Sequence, residues 1–229
     1  MTALPVTPFP SFPSLSPLPL LSIAWPPWAR LGWKPLELRI DVQPSPATLV
    51  AELDALHRRL GTPGDPLHDC STLPGPAPGL VLRHREADGE HYVYVQDTRN
   101  GCLAGYTVFN RLIEVGRRAD PYLRSPHSKY APAYQRRGLC SAVYEWALGE
   151  GFCLVSGARQ SPGAHALWHA LARHHPLGYV DVSTKPPCYL GRVVEPPVRD
   201  ALHTRLLLLG AGWSVERLVE VAGMGGTET

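Results

Sequence analysis

A short basic turn near the middle of the chain has the residue types that bind phosphate. The stretch YAPAYQRRGLCSAVYEWAL passes from an extended, proline-marked segment into a helix through Gln135, Arg136, Arg137 and Gly138. Where a strand leads into a helix, several backbone N–H groups lack partners and lie at the positive end of the helix dipole. Gly138 lets a ligand approach the backbone closely, and the two arginines supply positive charge. The turn therefore predicts a phosphate-binding site.

Basic residues are concentrated around this turn, although the chain has a formal net charge of only +2. Two acidic residues, Glu114 and Asp120, accompany the seven basic ones, which are Arg111, Arg117, Arg118, Arg124, Lys129, Arg136 and Arg137. This local excess suits a small anionic ligand, whereas the low net charge argues against a nucleic-acid binder. The turn matches neither the Walker A pattern nor the G-x-G-x-x-G fingerprint, so those nucleotide sites are excluded.

The elements before the turn follow from local signals. Alternating apolar residues in PLELRIDV predict a strand at residues 36–42. A helix should follow, because Ser45 can cap it, Pro46 suits its first turn and Gly61 comes after its end. The glycine- and proline-rich segments GTPGDP and PGPAPG then indicate irregular chain.

After residue 79 the apolar period changes to two, which is typical of strands. LVLRH, HYVYVQ and CLAGYTVF read as strands joined by hairpin turns at Asp88-Gly89 and Asn100-Gly101. A helix should begin after Gly138, FCLVSG should be a buried strand, and a further helix should span residues 164–174. GYVDV and TRLLLLG predict two more strands, and Ser214 can cap a last helix. This order predicts a mixed α/β fold in which helices cover a sheet.

The turn and its flanks resemble one known family. Tyr130–Cys140 is similar to the acyl-CoA-binding segment of the GNAT superfamily of N-acetyltransferases, V-x-P-x-Y-R/Q-x-x-G-x-G/A. Pro132, Tyr134, Gln135 and Gly138 fall on this pattern, whereas Cys140 stands where glycine or alanine is usual. The hairpin YVYVQDTRNGCLAGYTVF and the segment LVSGARQSPGAHALW also resemble the family's central hairpin and its later strand and helix.

The resemblance implies a mixed α/β domain over residues 35–224 with a central, mostly antiparallel twisted sheet flanked by helices. A proline-rich tail, expected to be disordered, occupies residues 1–34, and a flexible C-terminus occupies residues 225–229. The implied activity is transfer of an acetyl group from acetyl-CoA to an amine, carried by a small molecule or a protein, through direct attack on the thioester. No metal is expected. The rival hypothesis is a catalytically silent acyl-CoA-binding or interaction module with the same fold.

The resemblance also assigns roles to residues. Tyr130 would pair its backbone with the pantetheine arm, and residues 136–141 would hold the pyrophosphate. The complete cofactor-binding set is Tyr130, Gln135, Arg136, Arg137, Gly138, Leu139, Cys140 and Ser141.

The acid and base of the reaction are not assigned by the motif. A protonated amine cannot attack, so a base is required. Glu114 and His127 precede the cofactor segment and are candidates, although each also fits a solvated surface residue. Trp168 stands where many relatives have a tyrosine acid, which leaves the proton donor open.

The remaining expectations concern the cell and its partners. Five scattered cysteines without a CxxC pair indicate a reducing compartment, and the N-terminus lacks a signal-peptide pattern. We therefore expect a cytoplasmic protein that binds neither membrane nor nucleic acid. His165 and His169 have metal-like spacing but no HExxH motif, so they fit an exposed helix face. The strand TRLLLLG could pair within the monomer or across a homodimer, and the PxxP-like tail could bind a partner.

Overall fold

The computed structural model describes residues 45–226 of the 229-residue chain. The predicted tail at residues 1–34 and the predicted strand at residues 36–42 lie outside the described residues, so the first domain boundary stays a prediction. The predicted flexible C-terminus starts at Gly225, and the structure pairs Gly225 and Gly226 with an earlier strand before the description ends.

The described chain contains five α-helices and ten strands, with β1 to β5 following one another between α1 and α2. The helices are α1 (Pro46–Leu60), α2 (Leu139–Gly149), α3 (Pro162–Leu171), α4 (Pro196–Arg199) and α5 (Val215–Ala222). The strands are β1 (Ser71–Pro74), β2 (Leu80–Ala87), β3 (Glu90–Asp97), β4 (Cys102–Arg111), β5 (Leu123–Tyr130), β6 (Cys153–Val155), β7 (Leu177–Asp181), β8 (Cys188–Gly191), β9 (Thr204–Leu208) and β10 (Gly225–Gly226). No helix in this part of the chain is long and apolar enough to cross a membrane.

The strands between residues 45 and 226 form one ten-stranded sheet in the order β1-β2-β3-β4-β5-β6-β9-β7-β8-β10. The pairs β5–β6 and β8–β10 are parallel, and the remaining pairs are antiparallel. The predicted fold class, a mixed α/β layer fold with a mostly antiparallel sheet flanked by helices, is confirmed. The strand TRLLLLG pairs within the chain, between β6 and β7.

Local signals explain the best-predicted elements. The Ser45 side chain accepts a hydrogen bond from the Thr48 N–H at 3.2 Å, and α1 ends before Gly61, as expected. Asp88 and Gly89 both have positive φ, 55° and 76°, which is the requirement of a two-residue type I′ hairpin turn. The helix predicted at residues 164–174 instead spans Pro162–Leu171, and it begins earlier because the Ser161 hydroxyl caps the Ala164 N–H at 3.1 Å.

Some of the chain that reads as irregular is ordered by pairing. β1 ends on Pro74 and adds a short edge strand to β2. Proline is tolerated there because an edge strand has one unpaired side. β8 and α4 also lacked a sequence signal, since both have only four residues.

Helices pack on both faces of the sheet. Leu154 of β6 belongs to the core under α2 and α3, whereas its neighbours Cys153 and Val155 pack with Leu218 of α5 on the opposite face. α1 covers β3 and β4 through a third apolar cluster that includes Leu53. We call the side that carries α1 and α5 the α1 face, and the side that carries α2 and α3 the α2 face.

Candidate functional site

One side of β5 is largely unpaired. β5 pairs with β4 from Arg124 to Tyr130, but with β6 only at Leu123 and Arg124. From Ser125 onward β5 therefore presents backbone groups to a gap in the sheet. The turn predicted to bind phosphate follows this unpaired edge after one short 3-10 turn, Pro132–Tyr134.

The register shows which groups face the gap. The Ala131 N–H donates to the Ala104 carbonyl of β4 at 3.0 Å. In an antiparallel ladder the backbone N–H and C=O groups of successive residues point to opposite sides of the strand. Since Ala131 points to β4, the backbone groups of Tyr130, Ser128 and Pro126 point to the gap. Pro126 costs no ladder bond there, because its missing N–H would not have met β4.

The Tyr130 carbonyl is already used. The Gln135 side chain folds back and donates from Nε2 to this oxygen at 2.9 Å. Gln135, one of the predicted cofactor-binding residues, thus ties the turn to the end of β5 through its side chain. The Tyr130 N–H and the backbone of Ser128 are left facing the gap.

The turn itself is exposed and open. Arg136 and Gly138 have positive φ values of 58° and 75°, and α2 begins at Leu139. A Cβ at Gly138 would meet nothing within 4 Å. The first intrahelical bond is donated by the Ala142 N–H to the Gly138 carbonyl at 2.9 Å, so the amides of residues 139–141 lack intrahelical acceptors. The structure therefore presents the kind of amide group that binds an anion.

A tyrosine of the motif fixes this turn to the β3–β4 hairpin. The buried Tyr134 hydroxyl donates to Asp97 Oδ2 at 2.8 Å, and the Arg137 guanidinium lies over the Tyr134 ring at 5.1 Å. Hydrogen bonds from Asn100 and then Tyr134 lower the pKa of Asp97 to about 2. Sequence reasoning missed Asp97, although an Asp three residues before an Asn-Gly turn is a recognisable turn signal.

A polar cluster lies under the start of α2. Ser128 Oγ is 2.8 Å from the Thr107 hydroxyl and 3.5 Å from the Tyr144 hydroxyl. The Cys140 thiol also points into this cluster and donates to Ser128 Oγ at 3.5 Å. Burial raises the pKa of Cys140 to about 11, so the thiol stays protonated. Cys140 thus turns inward, away from the exposed turn, and the departure from glycine or alanine is accommodated.

An ion pair on the α1 face was not predicted. Lys129 Nζ lies 2.9 Å from Glu52 Oε2, and the Tyr106 hydroxyl donates to Glu52 Oε1 at 2.5 Å. Burial raises the pKa of Glu52, but the hydrogen bonds from Tyr106 and Lys129 outweigh it and lower the pKa. This carboxylate is therefore a poor base, and it pins α1 to β4 and β5.

The two candidate bases share the α1 face. His127 is exposed and stands between Ser125 and Lys129, whose side chains point the same way along β5. Glu114 lies in the short 3-10 turn Ile113–Val115 and is also exposed. An open cavity of about 330 Å³ is lined by Asn110, Arg111, Leu112, Ile113, Glu114 and Ser125. The structure thus brings both candidates to one region, at the start of the unpaired part of β5.

Three other residues singled out in the sequence, Trp168, His165 and His169, lie in helix α3. Trp168 is only 2% exposed and packs edge-on against Tyr144. His165 and His169 contact each other on the exposed side of α3. No group of three or more His, Cys, Asp or Glu side chains suited to a metal occurs within residues 45–226.

Comparison with known proteins gives distant likenesses. No family model matches the chain, and no curated protein matches it. A GNAT-superfamily phosphinothricin acetyltransferase from Sinorhizobium meliloti, solved with AcCoA, is 24% identical with a TM-score of 0.35. The match covers 54% of this chain and 63% of that enzyme.

Two further solved structures are similar. A protein from Bordetella pertussis, described as a GNAT-family acetyltransferase, is 19% identical with a TM-score of 0.38 over 62% of this chain and 99% of that one. A chimera of the spermidine N-acetyltransferase from Vibrio cholerae is 14% identical with a TM-score of 0.30 over 53% and 66%. At these identities and TM-scores, the likenesses carry no function over to this chain.

Proposed function

We propose that this protein is an N-acetyltransferase that moves the acetyl group of acetyl-CoA to an amine by direct attack on the thioester. One observation carries the proposal: an open left-handed turn at the start of α2 lies a few residues after an unpaired strand edge. An acyl-CoA needs both features, since its diphosphate requires amide donors and its amide-containing arm can pair with a strand. The resemblance of Tyr130–Cys140 to the GNAT acyl-CoA segment supports the same cofactor.

Different residues would bind the diphosphate and the arm of the cofactor. The diphosphate would accept hydrogen bonds from the amides of residues 139–141, with Arg136 and Arg137 adding charge. The arm would run back along β5 and use the Tyr130 N–H and the Ser128 backbone. At about 3.3 Å per residue, the unpaired edge from Tyr130 to Ser125 is about 16 Å long. The thioester would then lie along the inner part of this edge, beside His127 and Ser125.

The reaction at that point requires a neutral amine. An alkylamine has a pKa of about 10, so a base must take its proton before or during attack. In the proposed step a nitrogen–carbon bond forms, the carbon–sulfur bond breaks and the sulfur leaves as thiolate. The nitrogen's proton goes to a base, for which His127 and Glu114 are the candidates. Much of the acceleration would come from holding amine and carbonyl together.

The rival proposal is an acyl-CoA-binding module without turnover. Trp168 favours it, because a buried indole at that position cannot protonate the departing thiolate. Calorimetric titration with CoA tests both proposals, and release of free thiol from acetyl-CoA over a panel of amines separates them. No binding of CoA would refute both. A cytoplasmic location and a homodimer stay predictions.

A further inference from the structure

The cavity on the α1 face adjoins the proposed site of reaction. Asn110 and Ser125 face each other across β4 and β5, and the next pair on the same face is Val108 and His127. Two residues along a strand correspond to about 6.6 Å. Ser125 also directly follows Arg124, where the pairing of β5 with β6 ends. The cavity therefore lies one short alkyl chain away from the imidazole of His127.

Of the acidic side chains around this cavity, Glu114 is the one that could pair with a bound cation. Asp120 is occupied, because it forms an ion pair with Arg111. Arg205 is buried and interacts electrostatically with both Glu114 and Asp181, so one cation is shared between two acids. Among residues 45–226, Glu114 has no hydrogen bond or ion pair. The rim of the cavity thus carries Glu114, a carboxylate that has no direct ion-pair partner among the described residues.

The surface next to Glu114 is apolar. Ile113 is 79% exposed, and Leu112 lines the cavity from a buried position. An exposed isoleucine beside an unpaired carboxylate is complementary to an alkyl chain that ends in an ammonium group.

We propose that this cavity binds the acceptor and that the acceptor is an alkylamine carrying a second positive charge; this inference rests on the proposed function. Glu114 holds the distal cation, and the reacting amine lies at His127. A carboxylate can pair with an ammonium group through its charge, and an imidazole can act as the general base that takes the proton of the reacting amine. The two candidate bases therefore have different roles, one in binding and one in proton transfer.

Two amines of equal chain length, one of which carries a second charged group, test this division of roles when rates are expressed per amino group. The full chain is assayed for acetyl transfer from acetyl-CoA to 1,4-diaminobutane and to 1-aminobutane, with products identified by mass spectrometry. We expect kcat/KM about fivefold higher for the diamine, the scale of an exposed ion pair. Glu114→Gln should abolish this preference by raising KM for the diamine. The preference should also weaken at high salt.

Controls separate this inference from the proposed function. Glu195→Gln removes an exposed carboxylate near α4, and it should leave the preference intact. CoA binding is measured on every variant by calorimetry, and absence of binding in the parent chain overturns the proposed function together with this inference. If CoA binds but neither amine is acetylated, or the diamine preference survives in Glu114→Gln, only the acceptor assignment is overturned.

Discussion

Replacing Gly138 with glutamate tests the phosphate site by placing a charge where the diphosphate should bind. Nothing within 4 Å would contact a new Cβ at this exposed position, so the protein itself offers no steric conflict. The φ of 75° imposes a conformational cost of about 1–2 kcal/mol on any residue with a Cβ. Gly138→Gln carries the same cost without the charge and is the matched control.

The size of the charge effect follows from Coulomb's law. A carboxylate about 5 Å from a phosphate charge interacts unfavourably by about 1 kcal/mol in water and by about 3 kcal/mol at an effective dielectric constant of 20. Because the turn is exposed, the true value lies between these limits. CoA should therefore bind Gly138→Glu about 5- to 150-fold more weakly than Gly138→Gln.

Calorimetric titration with CoA at low salt measures this difference, and thermal unfolding shows whether both variants remain folded. Equal Kd values for the two variants would refute the placement of the diphosphate at this turn. A loss of affinity common to both would show only a requirement for the glycine conformation.

Three other perturbations test the surrounding structure. Tyr134→Phe removes a hydrogen bond to Asp97 and should raise the pKa of that carboxyl. In the parent chain the lowered pKa of Asp97 stabilises the fold above about pH 4, and this stabilisation is lost as the pH falls toward about 2. Acid unfolding, monitored by circular dichroism, should therefore begin at a higher pH in the variant. Lys129→Met breaks the ion pair that pins α1 to the sheet and should lower the free energy of unfolding by about 0.5–1 kcal/mol in urea titrations, while the Kd for CoA stays unchanged. Burial lowers the pKa values of the stacked pair His84 and His91, so their contribution to stability is complete above about pH 6.5 and is lost as pH falls through the lower folded values. Urea unfolding at pH 7.5 and 5.5 should show this loss, and an equal loss in His91→Phe would contradict the assignment.

The sequence predicted features that depend on near neighbours. Ser45 and Gly61 delimit α1 because capping acts within one turn, and Asp88-Gly89 makes a hairpin because both residues accept positive φ. The turn before α2 was found for the same reason, since Gly138 and the adjacent arginines lie within four residues of one another. Most of the predicted cofactor site is therefore local in sequence.

Features that depend on distant pairing escaped prediction. β9 inserts between β6 and β7, a choice set by the whole sheet and not by TRLLLLG itself. The Glu52–Lys129 ion pair joins residues 77 positions apart, and no pattern in either segment signals the other. The proximity of Glu114 to the face that carries His127 likewise depends on how β4, the 3-10 turn and β5 fold together.

The most direct test of the central claim is an amide NMR titration of the full chain with CoA. We predict that the backbone N–H signals of residues 139–141 shift most, together with those of Tyr130 and Ser128, as the diphosphate and the arm bind. Saturable CoA binding that leaves these amides unshifted and moves signals elsewhere would contradict the assignment of the cofactor to this turn and strand edge.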